Sequence, residues 1–454
     1  MSSKRTLILS LLCCTISIPF LMGMASSMSK ENVRVKKAEI QIEMEPDLEL
    51  HEGYVSQKEE TVLVKQGRII VAKVHLGAPV MVAQAEQEEK WGYYQFPNIG
   101  IANDGTLIVQ WQMQDDSHLS YGKDTKRRYK PQMSKNHGKT WTPIDKNYDI
   151  YRRDNNLYLK NGGYIELKSQ QAKDINDYHI FPKALYSEGK YRYYSLDSLP
   201  KDLQGVYIYY RDKHNRSEII HADLYDPGAL RYSIDDQMPI VWWGNIRQLA
   251  DSSLVAGIYP SYYIDDRGEF VKGGISFYSS NDNGHSWIIK GKIAYTPDAV
   301  VKKRGNGGFF EPAFEILSDS TFICVMRTGA ASPLCYSFSK DKGKSWTLPQ
   351  PFTSNGVKPQ LLLLNNGVLV LSSGRPGVQL RFNIDGKGGK WTEPIDMIPY
   401  LKDGAPIKDV SCGYTSVVEL GDDTFMMVYS DFTTKNAAGD YRKSIWFRKV
   451  KIER

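Results

Sequence analysis

Glu311-Pro-Ala-Phe-Glu-Ile-Leu-Ser-Asp-Ser-Thr-Phe-Ile-Cys-Val-Met-Arg327, followed by Leu334-Cys-Tyr-Ser-Phe-Ser339 and the turn Asp341-Lys-Gly-Lys-Ser-Trp346, is a unit that the chain repeats. A polar residue leads into an apolar run, a tight polar turn and a second apolar run ending at Arg327. A third run and an Asp-x-Gly turn closed by tryptophan complete it. Alternation and the enrichment in β-branched and aromatic residues predict strands rather than helix, with Gly, Asp and Ser where turns need them.

Outward from this stretch the pattern recurs. Gln95-Phe-Pro-Asn-Ile-Gly-Ile101, Thr106–Met113 and Ser134-Lys-Asn-His-Gly-Lys-Thr-Trp141 form a first copy. Gly244–Asp251 and Ser280-Asn-Asp-Asn-Gly-His-Ser-Trp287 belong to another. Lys358–Leu364, Val368–Ser373 and a blurred closing turn at 385–391 follow, then Tyr414–Leu420, Thr424–Tyr429 and a terminal strand Ser444–Lys451. Turns at Asp319 and Asn366 lie 47 residues apart, and those at Asn366 and Asp422 lie 56 apart. A period near 50 (roughly four strands per copy) is the mark of a β-propeller.

Residues 142–240 are less regular: Tyr158–Leu167, Lys190–Leu196 and Val206–Arg211 look like strands, enough for one unit with an insertion or for two degenerate units. The expectation is an all-β protein, a six-bladed β-propeller with four antiparallel strands per blade, seven blades being the alternative. In the Ser-x-Asp-x-Gly-x-x-Trp turn, short side chains bond turn amides, glycine takes a positive φ and tryptophan packs beneath the hairpin. These turns read as scaffold.

The net charge of +6 is spread along the chain, too dilute to point to nucleic acid, and the tyrosine-rich composition suits half-buried sheets and carbohydrate-facing surfaces. Lys4 and Arg5, the apolar stretch Leu7–Leu21 and Gly23-Met-Ala25 read as a secretory signal over residues 1–25. A leader or edge segment at 26–60 and a propeller domain at 61–454 complete the expected organisation, with secretion or export to a periplasm as the localisation. Cys13 and Cys14 follow Leu-Leu, a poor context for a lipid anchor, and no membrane span is expected in the mature chain. Cys324, Cys335 and Cys412 are expected as buried free thiols. Asn215-Arg-Ser217 matches a glycosylation sequon, a short pattern with a high chance rate. No phosphate loop, no zinc spacing and no other cofactor motif appears, and a monomer without bound metal is expected.

In a propeller the first strand of each blade lines the axis and the second runs back, so the start of one and the end of the other share a face. Residues at the starts are Gln95, Glu311, Lys358 and Tyr414; those at the ends are Asp115, Asp116, Arg327, Arg375 and Asp431. Carboxylates, arginines and a tyrosine gathered on one surface mark the candidate active site.

With these residues in place, the sequence resembles the sialidase (neuraminidase) superfamily of Asp-box propellers from about Tyr94 to the end. Glu311 and Arg327 match the family's Glu and Arg separated by one unit, Arg375 its later arginine, and Tyr414-Thr-Ser its nucleophile motif. The resemblance implies an exo-acting glycoside hydrolase cleaving a terminal, acidic sugar from a glycan. Tyr414 would be the nucleophile, Glu311 its base, Asp115 or Asp116 the acid, and Arg327 and Arg375 a clamp on the substrate carboxylate. A neutral phenol approaches a carboxylate-bearing anomeric carbon without the repulsion an aspartate would meet. Lys358, Gln95 and Asp431 are the remaining candidate substrate contacts. The family's first-blade Arg-Ile-Pro reads Gln95-Phe96-Pro97 here, so one charge of the clamp is missing. A lost charge-assisted pair is worth on the order of a few kcal/mol of binding, which points to an altered pocket. Two other classes share these residues: a polysaccharide lyase, with Tyr414 or His118 as base and Arg327 neutralising a uronate, and a non-catalytic glycan-binding propeller.

Overall fold

The computed structural model describes residues 58–116, 131–152, 154–295, 308–329, 332–375, 377–398, 410–421 and 423–454. The signal segment, Cys13, Cys14 and His118 lie outside the described residues, as does all but the end of the 26–60 segment.

Alternating apolar residues bounded by Gly, Asp and Asn turns fold into six four-stranded antiparallel blades. Blade 1 comprises Tyr93–Ala102, Leu107–Met113, Gln132–Ser134 and Thr142–Pro143. Blade 2 comprises Asn156–Tyr158, Tyr164–Lys168, Val206–Arg211 and Ser217–Tyr225. Blade 3 is built from Trp243–Gln248, Leu254–Ile264, Phe270–Ser280 and Ser286–Ile293. Phe310–Ile316, Phe322–Arg327, Cys335–Ser339 and Gln350–Pro351 make blade 4. Val357–Leu363, Leu369–Gly374, Val378–Asn383 and Ile395–Ile398 make blade 5. Blade 6 has Thr415–Gly421, Thr424–Lys435 and Tyr441–Glu453.

The fourth strand of blade 6 comes from the other end of the chain. Val80–Gln84 pairs with the first half of Tyr441–Glu453 and Ile69–Leu76 with its second half, closing the ring. Arg448, only 2% exposed, secures this closure by donating to the carbonyls of Gly77 at 2.7 Å and Lys58 at 3.1 Å. First strands of neighbouring blades touch around the axis, and the hydrophobic clusters sit between blades: Phe277, Phe314 and Phe322 between blades 3 and 4, Phe382 and Phe425 between blades 5 and 6.

The irregular tract resolves into one blade with an insertion. Tyr158–Leu167 is a hairpin rather than one strand, because Asn161-Gly162-Gly163 turns the chain between Asn156–Tyr158 and Tyr164–Lys168. Tyr191–Ser195 belongs to the insertion, an added layer that pairs with the outer half of Leu254–Ile264 through Ala229–Ile234. The single α-helix among the described residues is the four-residue Lys201–Gln204, and no described helix is long and apolar enough to cross a membrane.

The closing turns satisfy their own polar groups. Ser339 Oγ donates to Asp341 Oδ1 at 2.8 Å and accepts from Gly343 N at 2.8 Å, while Asp341 Oδ1 accepts from Ser345 N at 2.8 Å. The same bonds recur at Ser280, Asp282, Gly284 and Ser286, and Asn136 substitutes for the aspartate at the first turn. Gly343 has φ +89°, as the turn requires, and Trp346 stacks on Phe277 at 4.2 Å. Cys324, Cys335 and Cys412 are buried.

Candidate active site

What aims side chains at the axis is a repeated backbone kink. In blades 1, 4 and 5 the first strand contains an X-Pro pair, Phe96-Pro97, Glu311-Pro312 and Lys358-Pro359. Proline has no N–H for the ladder, and at each pair the register slips by a bulge. The residue before each proline has positive φ: +53° at Phe96, +48° at Glu311 and +42° at Lys358. Non-glycine residues in that region cost about 1–3 kcal/mol each, a strain typical of functional sites.

The kinks open into a cleft of about 630 Å³ at the end of the axis, lined by Trp91, Phe96, Asp115, Asp116, Asp154, Trp243, Tyr259, Glu311, Arg327, Lys358, Arg375 and Tyr414 among others. A second depression, about 750 Å³, lies on the hairpin at Tyr210–Glu218, away from these groups.

At the cleft floor Tyr414 from blade 6 donates its hydroxyl to Glu311 Oε1 from blade 4 in a short hydrogen bond. Arg327 Nη1 donates to Glu311 Oε1 at 2.8 Å and to Tyr414 Oη at 3.3 Å, and its Nε to Gly329 O at 3.0 Å. The backbone N–H of Lys358 donates to Glu311 Oε2 at 2.9 Å. Burial by itself would raise the Glu311 pKa, but Arg327, Lys358 and these donors outweigh it and hold the carboxyl below its ordinary value. Burial and the negative charge of Glu311 push the Tyr414 phenol well up, against the opposing pull of Arg327. A neutral phenol bonded to an ionised carboxylate is an arrangement in which the carboxylate can take the phenolic proton.

Arg375 is 4% exposed; its Nε donates to Cys412 O at 3.0 Å, and its guanidinium lies 5.7 Å from the Tyr414 ring and 5.6 Å from Trp91. Desolvation lowers its pKa, and among the described residues no carboxylate pairs with it. A buried guanidinium without an anion is costly. Asp115 pairs with Lys90 at 2.7 Å at the rim, and Asp116 Oδ2 accepts from Trp91 Nε1 at 2.9 Å.

Two positions chosen from sequence fall outside the lining. Gln95 is fully buried, with both amide atoms unpaired among protein groups, because the proline kink turns the next residue, Phe96, into the cleft. The structural counterpart of Glu311 is therefore Phe96, whose ring meets Tyr414 edge-on at 4.7 Å. Asp431 is also fully buried, bonding Thr433 N at 2.6 Å and Thr433 Oγ1 at 2.7 Å, since its strand continues to Lys435 instead of ending beside the cleft.

Sequence reasoning missed Asp154. It precedes the first strand of blade 2 and is approached by Asn98 at 3.5 Å, Asn245 at 3.4 Å, Gln360 at 3.4 Å and Lys358 Nζ at 3.7 Å, drawn from three other blades. Its only local signal is the polar run Arg152–Asn156 ahead of a strand. Among the described residues no group of His, Cys, Asp and Glu is arranged to hold a metal ion.

Among solved structures, a protein of unknown function from Dyadobacter fermentans overlays with TM-score 0.52 at 16% identity, covering 83% of this chain and 99% of that one. The fold is the Asp-box six-bladed propeller. The propeller also overlays on the NanB sialidase (K499G mutant) of Streptococcus pneumoniae, TM-score 0.44, 12% identity, 82% of this chain and 70% of that one. A GH93 α-L-arabinofuranosidase of Fusarium graminearum in complex with arabinobiose gives TM-score 0.46 at 15% identity, with 82% and 97% covered. These likenesses fix neither activity nor substrate for the propeller. No family model matches the chain, and no curated protein matches it.

Proposed function

We propose that the protein is an exo-acting glycoside hydrolase that removes a terminal acidic sugar from a glycan. The observation that carries this reading is the convergence of Tyr414, ionised Glu311 and Arg327 beside the buried guanidinium of Arg375, with which no carboxylate among the described residues pairs. Arg375 would hold the substrate carboxylate, with Lys358, which lines the same cleft, as a further cation. Glu311 takes the phenolic proton as Tyr414 Oη bonds the anomeric carbon; the glycosidic C–O bond breaks and Asp115 or Asp116 protonates the leaving oxygen. Water, deprotonated by that carboxylate, then releases the sugar, and Glu311 returns the proton to Tyr414.

The test is a panel of sialosides, other 2-keto acid glycosides, uronides and neutral glycosides, followed by mass spectrometry after a fluorinated substrate analogue. A sugar adduct on the peptide carrying Tyr414 is expected. Turnover producing an unsaturated, ultraviolet-absorbing uronate would replace hydrolysis with elimination. Action on extracellular glycans fits the apolar leader at residues 1–25, and an N-terminus beyond Ala25 in material recovered from the medium or periplasm would establish export.

A further inference from the structure

Trp91 touches both halves of the chemistry. Its indole N–H donates to Asp116 Oδ2 at 2.9 Å, while the Arg375 guanidinium lies 5.6 Å from its ring. Phe96 and Phe432 meet the same ring edge-on at 6.3 and 6.4 Å, and Lys443 Nζ lies 6.0 Å away. The approach is built into the backbone: a Cβ on Gly92, φ +101°, would stand 2.2 Å from Gln114 O and 2.6 Å from Asp116 N. Only glycine lets the Trp91 segment lie against the loop that carries the two aspartates.

The two aspartates differ in the same way. Asp115 is committed to an ion pair with Lys90 at 2.7 Å. Both line the cleft, and Asp116 differs in accepting from a neutral donor, the Trp91 indole N–H.

We infer that Asp116, not Asp115, is the group that protonates the leaving oxygen, and that Trp91 is a positioning residue coupling it to the carboxylate-binding Arg375. This rests on the glycosidase reading above. The proton leaves the Asp116 carboxyl for the glycosidic oxygen as the C–O bond breaks, and Asp116 regains a proton from the water that hydrolyses the tyrosyl intermediate. The charged groups facing this pair are Asp115 and Lys90 from blade 1 and the segment leading into it, Arg375 from blade 5, and Lys443 from blade 6.

The test uses the full-length protein and whichever acidic sugar the panel identifies, presented on an alkyl and on a nitrophenyl leaving group. Asp116→Asn is expected to lose about 10²–10⁴-fold on the alkyl glycoside and far less on the nitrophenyl one, which leaves without a proton. Asp115→Asn is expected to lose both equally and slightly. Trp91→Phe keeps a ring and removes the N–H. With Asp116 no longer held by that donor, the loss should be about two- to tenfold and fall on the alkyl glycoside while the nitrophenyl one is spared. Trp91→Ala should in addition raise KM about two- to fivefold through the lost cation–π contact. A purely structural tryptophan would lower turnover of both glycosides alike. Leaving-group dependence in Asp115→Asn instead of Asp116→Asn, or equal losses on the two glycosides in Trp91→Phe, overturns this inference alone. Absence of turnover by the wild type on every glycoside overturns the glycosidase reading along with it.

Discussion

The closing turns on the rim and the kinked strand starts at the axis both recur blade by blade, yet they spend their polar groups in opposite ways. Asp341 bonds Ser339, Lys344 and Ser345, all within its own turn. Glu311 bonds Arg327 across its blade, Lys358 from the next and Tyr414 from the one after. The turn is a local solution that each blade can repeat or let decay, as the 385–391 copy has. The axial cluster exists once, and each member depends on several blades standing in place.

Breaking the axial side should have the largest effect. Tyr414→Phe removes one hydroxyl and should lower kcat by on the order of 10³-fold or more while leaving the melting temperature near that of the wild type; an unchanged rate would refute the nucleophile assignment. Glu311→Ala should cost both activity and stability, about 3–5 kcal/mol in denaturant melts, because Arg327 is left buried without its carboxylate. Glu311→Gln, which keeps hydrogen-bonding capacity, separates the two losses.

The pH dependence sharpens the same contrast. Since the folded Glu311 pKa lies below the ordinary value, its contribution to stability is complete above the unfolded pKa, about 4.3, and disappears as pH falls through the depressed folded value. The acidic limb of kcat/KM should sit below that ordinary value as well, since Glu311 must be ionised to accept the phenolic proton. An acidic limb near pH 6 would assign the base elsewhere.

Changes at the rim should be smaller and confined to stability. Ser339→Ala leaves the buried Gly343 N–H without its acceptor, an expected loss of about 1 kcal/mol with kcat/KM unchanged. Asn136→Asp, which brings the first turn into line with the other two, should alter stability by less than about 0.5 kcal/mol. A large loss of turnover from either would mean that the rim is coupled to the cleft.

The rim was legible in sequence because its pattern is its cause: Ser, Asp, Gly and Trp at fixed offsets are the atoms that make the turn. Six blades followed from that spacing, apart from 142–240, where the insertion interrupts the period. Glu311, Arg327, Arg375 and Tyr414 were legible too, as start-of-strand and end-of-strand positions that the structure brings together. Gln95 was misplaced by a single residue, since a proline bulge shifts which side chain turns inward and register counted along the chain does not show the bulge. Asp431 failed for a related reason: its strand runs four residues further to Lys435 than the repeat implies. Asp154, Trp91 and Phe96 carried no pattern of their own.

The sequence by itself determined most of the strands, their turns, a repeat of roughly 50 residues and a short set of ionisable residues, because these follow from spacing within a single hairpin. Only the tertiary structure decided that Phe96 rather than Gln95 faces Tyr414, that Arg375 is buried with no carboxylate partner among the described residues, and that Trp91 lies between it and Asp116. Those relations hold between residues 25 to more than 300 positions apart. They come into being only when the ring closes and sets kinked strands from several blades around one axis.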